Sequence, residues 1–367
     1  MGGVGHHGVL TRDDDIAASI IDLLASKGAD RLAHGRGQSL LEHLLGTYSI
    51  VRRWGQPTWL QHAALIHSVY GTDAYQRQLL PLSARADLAA VTGDRAERIA
   101  FLFSITPRRP LLAGTHRWAP GLMAGSADRD HEASLDPPTR QELDALVLLH
   151  TANLAEQARA GDGSPGRWLS ALGALAGLLD DAEELTLPPF MAGLRTFSDA
   201  DEALVRRAYR DAVGRGDDPE GRATRFALAA SACSVIAEPA VWLAYLSGLR
   251  GDHDGSRAWA AQARDRLLAL GTAWDKRLSY EDWGAVIDAL EQPPGGRGSS
   301  VSGGITRPRA LLESLTEGSD GARVRATAPP EVGGAIEPPD AASGRKRFQR
   351  YIDGVAGANG FGAVYPD

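Results

Sequence analysis

Cysteine is almost missing from this chain: Cys233 stands alone among 367 residues, so an internal disulfide and a thiolate zinc cage are both excluded. It sits in the apolar run Ala229-Ala230-Ser231-Ala232-Cys233 and reads as a small buried side chain rather than a reactive thiol. Long hydrophobic runs are missing too, since nowhere do the roughly 18 apolar residues of a spanning helix follow one another. The opening Met1-Gly2-Gly3-Val4-Gly5-His6-His7-Gly8 lacks the basic and then apolar pattern of a secretory signal. The expectation is a cytoplasmic protein with no membrane partner, its His6-His7 leader a mobile tail. There is no basic block either. The formal charge of -7 is spread along the chain, so no positive footprint invites nucleic acid.

What is present is helical periodicity. Asp13-Asp14-Asp15 supplies negative charge to the start of a helix carrying Ile16, Ile20, Leu23 and Leu24, where the helix dipole favours it. A second helix keeps Leu40, Leu44, Thr47, Tyr48 and Val51 on one stripe and stops at Trp54-Gly55-Gln56-Pro57. A third, from Trp59 to Tyr70, aligns Leu60, Ala63, Ala64 and His67 and so turns His67 toward the interior. Further helices are expected at 83–91, 94–104 and 139–160. After the Gly/Pro-rich stretch 161–166, a second helical region runs over 167–290. There Glu238–Leu246 and Ser256–Ala263 form a hairpin with small residues at the close contact, similar to a tetratricopeptide-type unit, with a weaker unit at Ala203–Val213 and Ala223–Ile236; an ordinary helical bundle fits equally well. Trp242, Tyr245, Trp259, Trp274 and Trp283 read as packing residues, and Trp274-Asp275-Lys276-Arg277 as a charged, aromatic rim suited to a protein contact.

The fold expected is therefore all-α: a leader (1–11), a helical domain (12–160), a helical-hairpin region (167–290) and a largely irregular tail. In that tail 293–345 form a disordered linker, because Gly, Pro, Ser and charge cannot bury enough apolar surface to order it, and 346–367 form a last segment.

Histidine carries the chemical interest. His43 and His67 face inward from adjacent antiparallel helices and could share one divalent ion, manganese, iron or zinc, although paired core histidines are a common alternative. His62 precedes His67 by five residues, which turns it away from that site. His150 lies three residues before Asn153, on the same helix face, and is a candidate third nitrogen ligand.

Four segments resemble the helix series of a known domain: Gly35-Arg36-Gly37-Gln38-Ser39-Leu40-Leu41-Glu42-His43, Ala63-Ala64-Leu65-Ile66-His67-Ser68, Val91–Ile99 and Leu148-Leu149-His150-Thr151-Ala152-Asn153-Leu154. The resemblance is to the hydrolase domain of the bacterial (p)ppGpp synthetase/hydrolase family, an HD phosphohydrolase fold that holds manganese with a His, a His-Asp pair and a later Asp. The segment His67-Ser68-Val69-Tyr70-Gly71-Thr72 is more closely similar to a family of uncharacterised bacterial proteins built around it, which implies no activity. By order, His43 and His67 match the two histidines. Ser68 stands where the paired Asp is expected and Asn153 where the last Asp is expected, so two negative charges leave the shell of a hard cation. The acidic pair that orients water in those hydrolases lines up with Gly71-Thr72; Asp73, one position on, is a weak candidate for its catalytic role.

His34 falls near the arginine that packs on guanine in the alarmone enzymes. It is a candidate substrate contact, with a solvent-exposed loop position the plainer expectation. Arg108 and Arg109 could clamp a phosphate or carboxylate. Phe361-Gly362-Ala363-Val364-Tyr365-Pro366-Asp367 resembles the entry strand of aspartyl/asparaginyl beta-hydroxylase domains, which are 2-oxoglutarate iron oxygenases. Three functions follow: a degenerate HD-like module for sensing a small phosphorylated ligand or docking a protein; a metal-dependent phosphohydrolase with an atypical His-rich site; and the accessory N-terminal region of an oxygenase.

Overall fold

Helix boundaries fall where side chains can satisfy the first free backbone N–H groups. Ser39 and Glu42 form a reciprocal capping box at the start of one helix, Thr139 and Glu142 at another, and Ser198 and Asp201 at a third. The computed structural model describes residues 12–34, 38–72, 75, 77–106, 138–158, 165–179, 185–214, 219–292, 310–312 and 314–315. It is all-α. In chain order the elements are α1 (Arg12–Ser26), β1 (Ala33–His34), β2 (Gln38–Ser39), α2 (Leu40–Arg53), α3 (Thr58–Ile66), α4 (Arg85–Thr92), α5 (Asp94–Ile105), α6 (Arg140–Gln157), α7 (Leu169–Ala176), α8 (Phe190–Leu194), α9 (Asp199–Val213), α10 (Pro219–Ala232), α11 (Glu238–Leu249), α12 (His253–Leu270) and α13 (Tyr280–Glu291). No helix among the described residues is long and apolar enough to cross a membrane.

In the first region α2 packs on α3 and α6, and α3 packs on α5. The contact residues are those of the apolar stripes: Leu40, Leu44, Val51, Leu60, Ala63 and Ala64 are all buried. The third helix is shorter than its pattern suggests. It ends at Ile66, with His67 as its cap and Val69 N–H bonding back to the Ile66 carbonyl at 3.1 Å, so 67–70 are turn rather than helix. The tighter i to i+3 bond ends the helix one turn before the positive φ of Gly71, 80°. A two-residue antiparallel ladder, absent from the sequence reading, pairs His34 with Gln38 and Ala33 with Ser39 just before α2.

The second region stacks α9 against α10 and α11 against α12, as the hairpin reading expected. The close approach in the later pair is made by small residues: Ala240, Ala244, Ser256, Ala260 and Ala263 are buried, and a Cβ on Gly248 would lie 3.4 Å from Ser256 Oγ. Trp242, Trp274 and Trp283 are buried and Tyr245 and Trp259 partly so, all packed into the core. Cys233 is buried, and burial pushes its thiol up to about 11, as suits an inert core residue.

Two expectations need correction. Trp274-Asp275-Lys276-Arg277 is not a rim, because Trp274 and Asp275 are fully buried and Asp275 takes the Arg277 guanidinium and the Tyr209 hydroxyl. The 293–345 segment is not wholly without packing either. Leu312 and Leu315, three apart, are buried against the core, since Leu-x-x-Leu spacing gives a short apolar face that its polar flanks conceal. Apart from Ala310, Leu311 and Ser314 beside them, the rest of that segment, residues 346–367 and the His6-His7 leader lie outside the described residues.

The two regions share one contiguous core. α6 packs on α7 across the boundary, and the end of α2 is a further joint, where Trp54 Nε1 donates to Leu270 O at 3.0 Å and Arg53 reaches both Gly271 O at 3.1 Å and Glu281 at 2.8 Å. Gly271 closes α12 in the left-handed conformation at φ 70°, and a Cβ there would lie 2.7 Å from Trp54 Nε1. Both constraints require glycine.

Candidate functional site

Four histidines gather where α2, the α3 cap, α6 and β1 meet: His34, His43, His67 and His150, all buried. His43 is on α2 because the Leu40, Leu44, Thr47 stripe turns that face inward. His67 caps α3, with Nδ1 2.8 Å from the Ala64 carbonyl. That oxygen can only accept, so Nδ1 carries the proton and Nε2 is left with its lone pair. His43 Nδ1 lies 2.5 Å from Glu156 Oε2, so that ring too has its Nδ1 directed at an oxygen. The two Nε2 atoms face each other at 3.0 Å. Two lone pairs at that distance repel unless a cation, either a proton or a metal ion, sits between them. Burial, together with the neighbouring His43, pushes the His67 pKa well below its ordinary value, so His67 favours the uncharged form that ligates metals.

The other two rings flank this pair. His34 stacks on His43 with centroids 4.2 Å apart and planes 10° from parallel, meets the ring of Tyr75 edge-on at 4.4 Å, and lies 2.9 Å from the Gln157 side-chain amide through its Nε2. The exposed loop position is therefore corrected: the β1–β2 ladder and the end of α6 hold His34 inside, 4 % exposed. His150 joins through Phe103, whose ring stacks on His150 at 3.9 Å and meets His67 edge-on at 4.8 Å. An aromatic ring thus contacts both imidazoles where a third nitrogen ligand was sought. Ser68 and Asn153 are buried, and Asn153 Oδ1 finds no hydrogen-bond partner among the described residues. His62 is buried with its pKa lowered chiefly by desolvation, outside the cluster's contacts, as its five-residue offset indicated. Asp73, Arg108 and Arg109 lie outside the described residues.

Glu156, Phe103, Gln157 and Tyr75 were missed by sequence reasoning. The signal for Glu156 was available: it follows Asn153 by three residues, so the face carrying His150 and Asn153 continues into it. Gly46 makes room for it, since a Cβ on residue 46 would lie 2.8 Å from Glu156 Cγ.

The two histidine nitrogens match a metal's ligands in type and spacing, but two are fewer than the three or four protein ligands a bound ion takes. Metal–imidazole bonds of about 2.0–2.1 Å put two nitrogens on adjacent corners of an octahedral ion roughly 3 Å apart, and an amide oxygen without a partner lies on the adjoining helix. Among the described residues, however, no group of three or more His, Cys, Asp or Glu side chains is placed to hold an ion. His43 and His67 would be its nitrogen ligands, and the remaining positions would fall to neutral oxygens or water.

Fold and site define an all-helical protein with a buried histidine–carboxylate cluster. Residues 23–108 match the family model described as Domain of unknown function (DUF6817), a stretch that includes His34, His43, His67 and Phe103 and stops before α6. No curated protein and no solved structure matches the chain.

Proposed function

We propose that residues 12–158 form a degenerate HD-like module that binds one divalent cation between His43 and His67 and serves ligand sensing or protein docking, with the hairpins of 167–290 as its docking partner region. The observation that carries this is the pair of Nε2 atoms 3.0 Å apart, each ring having its Nδ1 directed at an acceptor. Acceptors of this kind fix the tautomer of metal-binding histidines. The neutral Ser68 and Asn153 at the two expected carboxylate positions disfavour manganese or magnesium and favour a borderline ion such as zinc or iron(II). The setting is cytoplasmic.

A hydrolase reading draws on one observation, the Glu156 carboxylate at the edge of the cluster. In that reading a bound metal ion would supply Lewis acidity toward a phosphoester, and Glu156 would supply the negative charge that Ser68 and Asn153 do not.

Elemental analysis of the purified full-length chain beside His43→Ala and His67→Ala decides between a metal and a shared proton. Near-stoichiometric zinc, iron or manganese, lost in both variants, supports the cation site. No metal, even after incubation with manganese or zinc, means that the two rings share a proton and sinks the proposal. A phosphoester screen on metal-loaded protein then separates sensor from hydrolase.

A further inference from the structure

The connection from α12 to α13 is gripped at both ends and in the middle. At its start Gly271 O accepts from Arg53 Nη1 at 3.1 Å and Leu270 O from Trp54 Nε1 at 3.0 Å. At its far end Glu281 takes Arg53 Nη2 at 2.8 Å, and the Arg53 guanidinium lies 3.9 Å from the centre of the Tyr280 ring. In the middle the N–H groups of Trp274 and Asp275 both donate to Glu238 Oε1, at 2.7 and 3.0 Å. Glu238 and Asp275 are fully buried, and Glu238 Oε2 has no hydrogen-bond partner among the described residues. The charged and titratable groups around α11 are engaged elsewhere. Arg277 pairs with Asp275, to which Tyr209 on α9 also donates. On α12, Arg266 faces the carbonyls of Ala230, Cys233 and Ile236, and Arg264 takes Asp288 and Glu291 of α13. Arg222 on α10 donates to Ala212 O, and burial keeps the Cys233 thiol neutral.

We infer that the 271–279 connection is a proton-operated latch on the joint at the end of α2: with a proton on Glu238 it lies closed against Arg53 and Trp54, and ionisation of Glu238 opens it and frees α2 from α12 and α13. Ionisation in the closed form would set a second buried negative charge beside Asp275, without a cation of its own. Burial outweighs the N–H groups that favour the charge and pushes the carboxyl from 4.5 up to about 7. Opening lets water reach the carboxylate and returns it to its ordinary value. The opening constant therefore rises nearly tenfold per pH unit between about 4.5 and 7 and then levels, about 300-fold in all, which is ten raised to the difference between those two values. The latch does not depend on what the histidine cluster binds.

The test is hydrogen exchange in the full chain, wild type beside Glu238→Gln, from pH 5 to pH 8, since comparing the two proteins at each pH cancels the intrinsic pH dependence of exchange. Glutamine keeps an oxygen for both N–H groups and carries no charge, so its latch stays closed throughout. The readouts are the Trp274 and Asp275 amides and the Trp54 indole N–H, the last assigned in NMR spectra by its loss in Trp54→Phe. At pH 5 wild type should exchange within a few-fold of Glu238→Gln, and at pH 8 about 300-fold faster at all three positions. Exchange there should also outpace that of the slowest amides of α9 and α10. Equal exchange in the two proteins at every pH overturns the inference, and so does an excess that stops at Trp274 and Asp275 without reaching Trp54. An excess found only in amides as slow as the slowest of α9 and α10 overturns it too, because the charge is then released by global unfolding. Should Glu238→Gln fail to fold, wild type alone decides: protection at the three positions must fall with pH up to about 7 and level beyond, and pH-independent protection overturns the latch.

Discussion

The two regions bury charged groups differently. In the second, Glu202, Asp275 and Arg266 are each held by fixed partners. Glu202 accepts from the Trp168, Leu169 and Ser170 N–H groups at the start of α7, at 2.6, 2.9 and 3.2 Å. Asp275 takes Arg277 Nε at 2.9 Å and the Tyr209 hydroxyl at 2.9 Å, while Arg266 Nη1 faces the carbonyls of Ala230, Cys233 and Ile236. Such arrangements complete the fold and leave nothing to bind. In the first region the Nε2 atoms of two buried imidazoles meet at 3.0 Å, and the buried Asn153 Oδ1 has no hydrogen-bond partner among the described residues.

The comparison breaks most easily at Asp275. Asp275→Ala leaves the Arg277 guanidinium without its buried counter-ion, a change that costs about 3–5 kcal/mol. Urea unfolding should show that loss, and a loss under 1 kcal/mol would mean that the second region's network is dispensable.

Glu238 is the second region's exception and the next largest effect. Its Oε1 accepts from the N–H groups of Trp274 and Asp275, its Oε2 is buried without a hydrogen-bond partner among the described residues, and desolvation pushes its pKa from 4.5 up to about 7. A carboxyl whose folded pKa is raised stays protonated in the folded state while the unfolded chain ionises. Stability is therefore undiminished below about pH 4.5, falls as pH rises toward 7, and is flat beyond. Glu238→Gln removes that slope, so it should be more stable than wild type at pH 8 by up to about 3 kcal/mol and nearly equal at pH 5. Parallel pH slopes in the two proteins would show that Glu238 does not titrate in this window.

In the first region the corresponding effect comes from a ligand. Zinc at a hundredfold excess over its dissociation constant should stabilise wild type by about 2.7 kcal/mol, with no shift in His67→Ala; equal thermal shifts would place the ion elsewhere. The smallest effect is expected at the joint. Trp54→Phe deletes the bond to Leu270 O and leaves a buried carbonyl unsatisfied, costing about 1–2 kcal/mol while leaving zinc affinity unchanged. A coupled loss of affinity would show that the regions communicate through α2.

Much of the first region is legible from pattern. The 3.6-residue apolar stripes and the Ser39/Glu42 and Thr139/Glu142 signatures are local, and the observed helices start and stop close to where those signals place them. The inward direction of His43 and His67 follows from the same stripes. Glu156 is not legible in the sequence, because the resemblance places the last ligand at Asn153 and no local rule says which of two residues one turn apart meets a ring 113 positions away. The burial of His34 depends on a ladder of two residues per strand, too short to leave an alternating pattern. Trp274–Arg277 looked like surface because charge beside an aromatic usually is, and only the Tyr209 hydroxyl, 66 positions distant, makes Asp275 a core residue.

The sequence by itself determined the all-helical class, the capped helix starts, the hairpin with its small-residue contact and the inward face carrying two histidines, because each follows from periodicity and capping within a few residues. Tertiary structure alone decided that a glutamate stands behind one histidine, that a phenylalanine contacts both His67 and His150, and that α2 ties both regions together. Those outcomes depend on which side chains meet across helices, and packing geometry fixes that where local pattern does not.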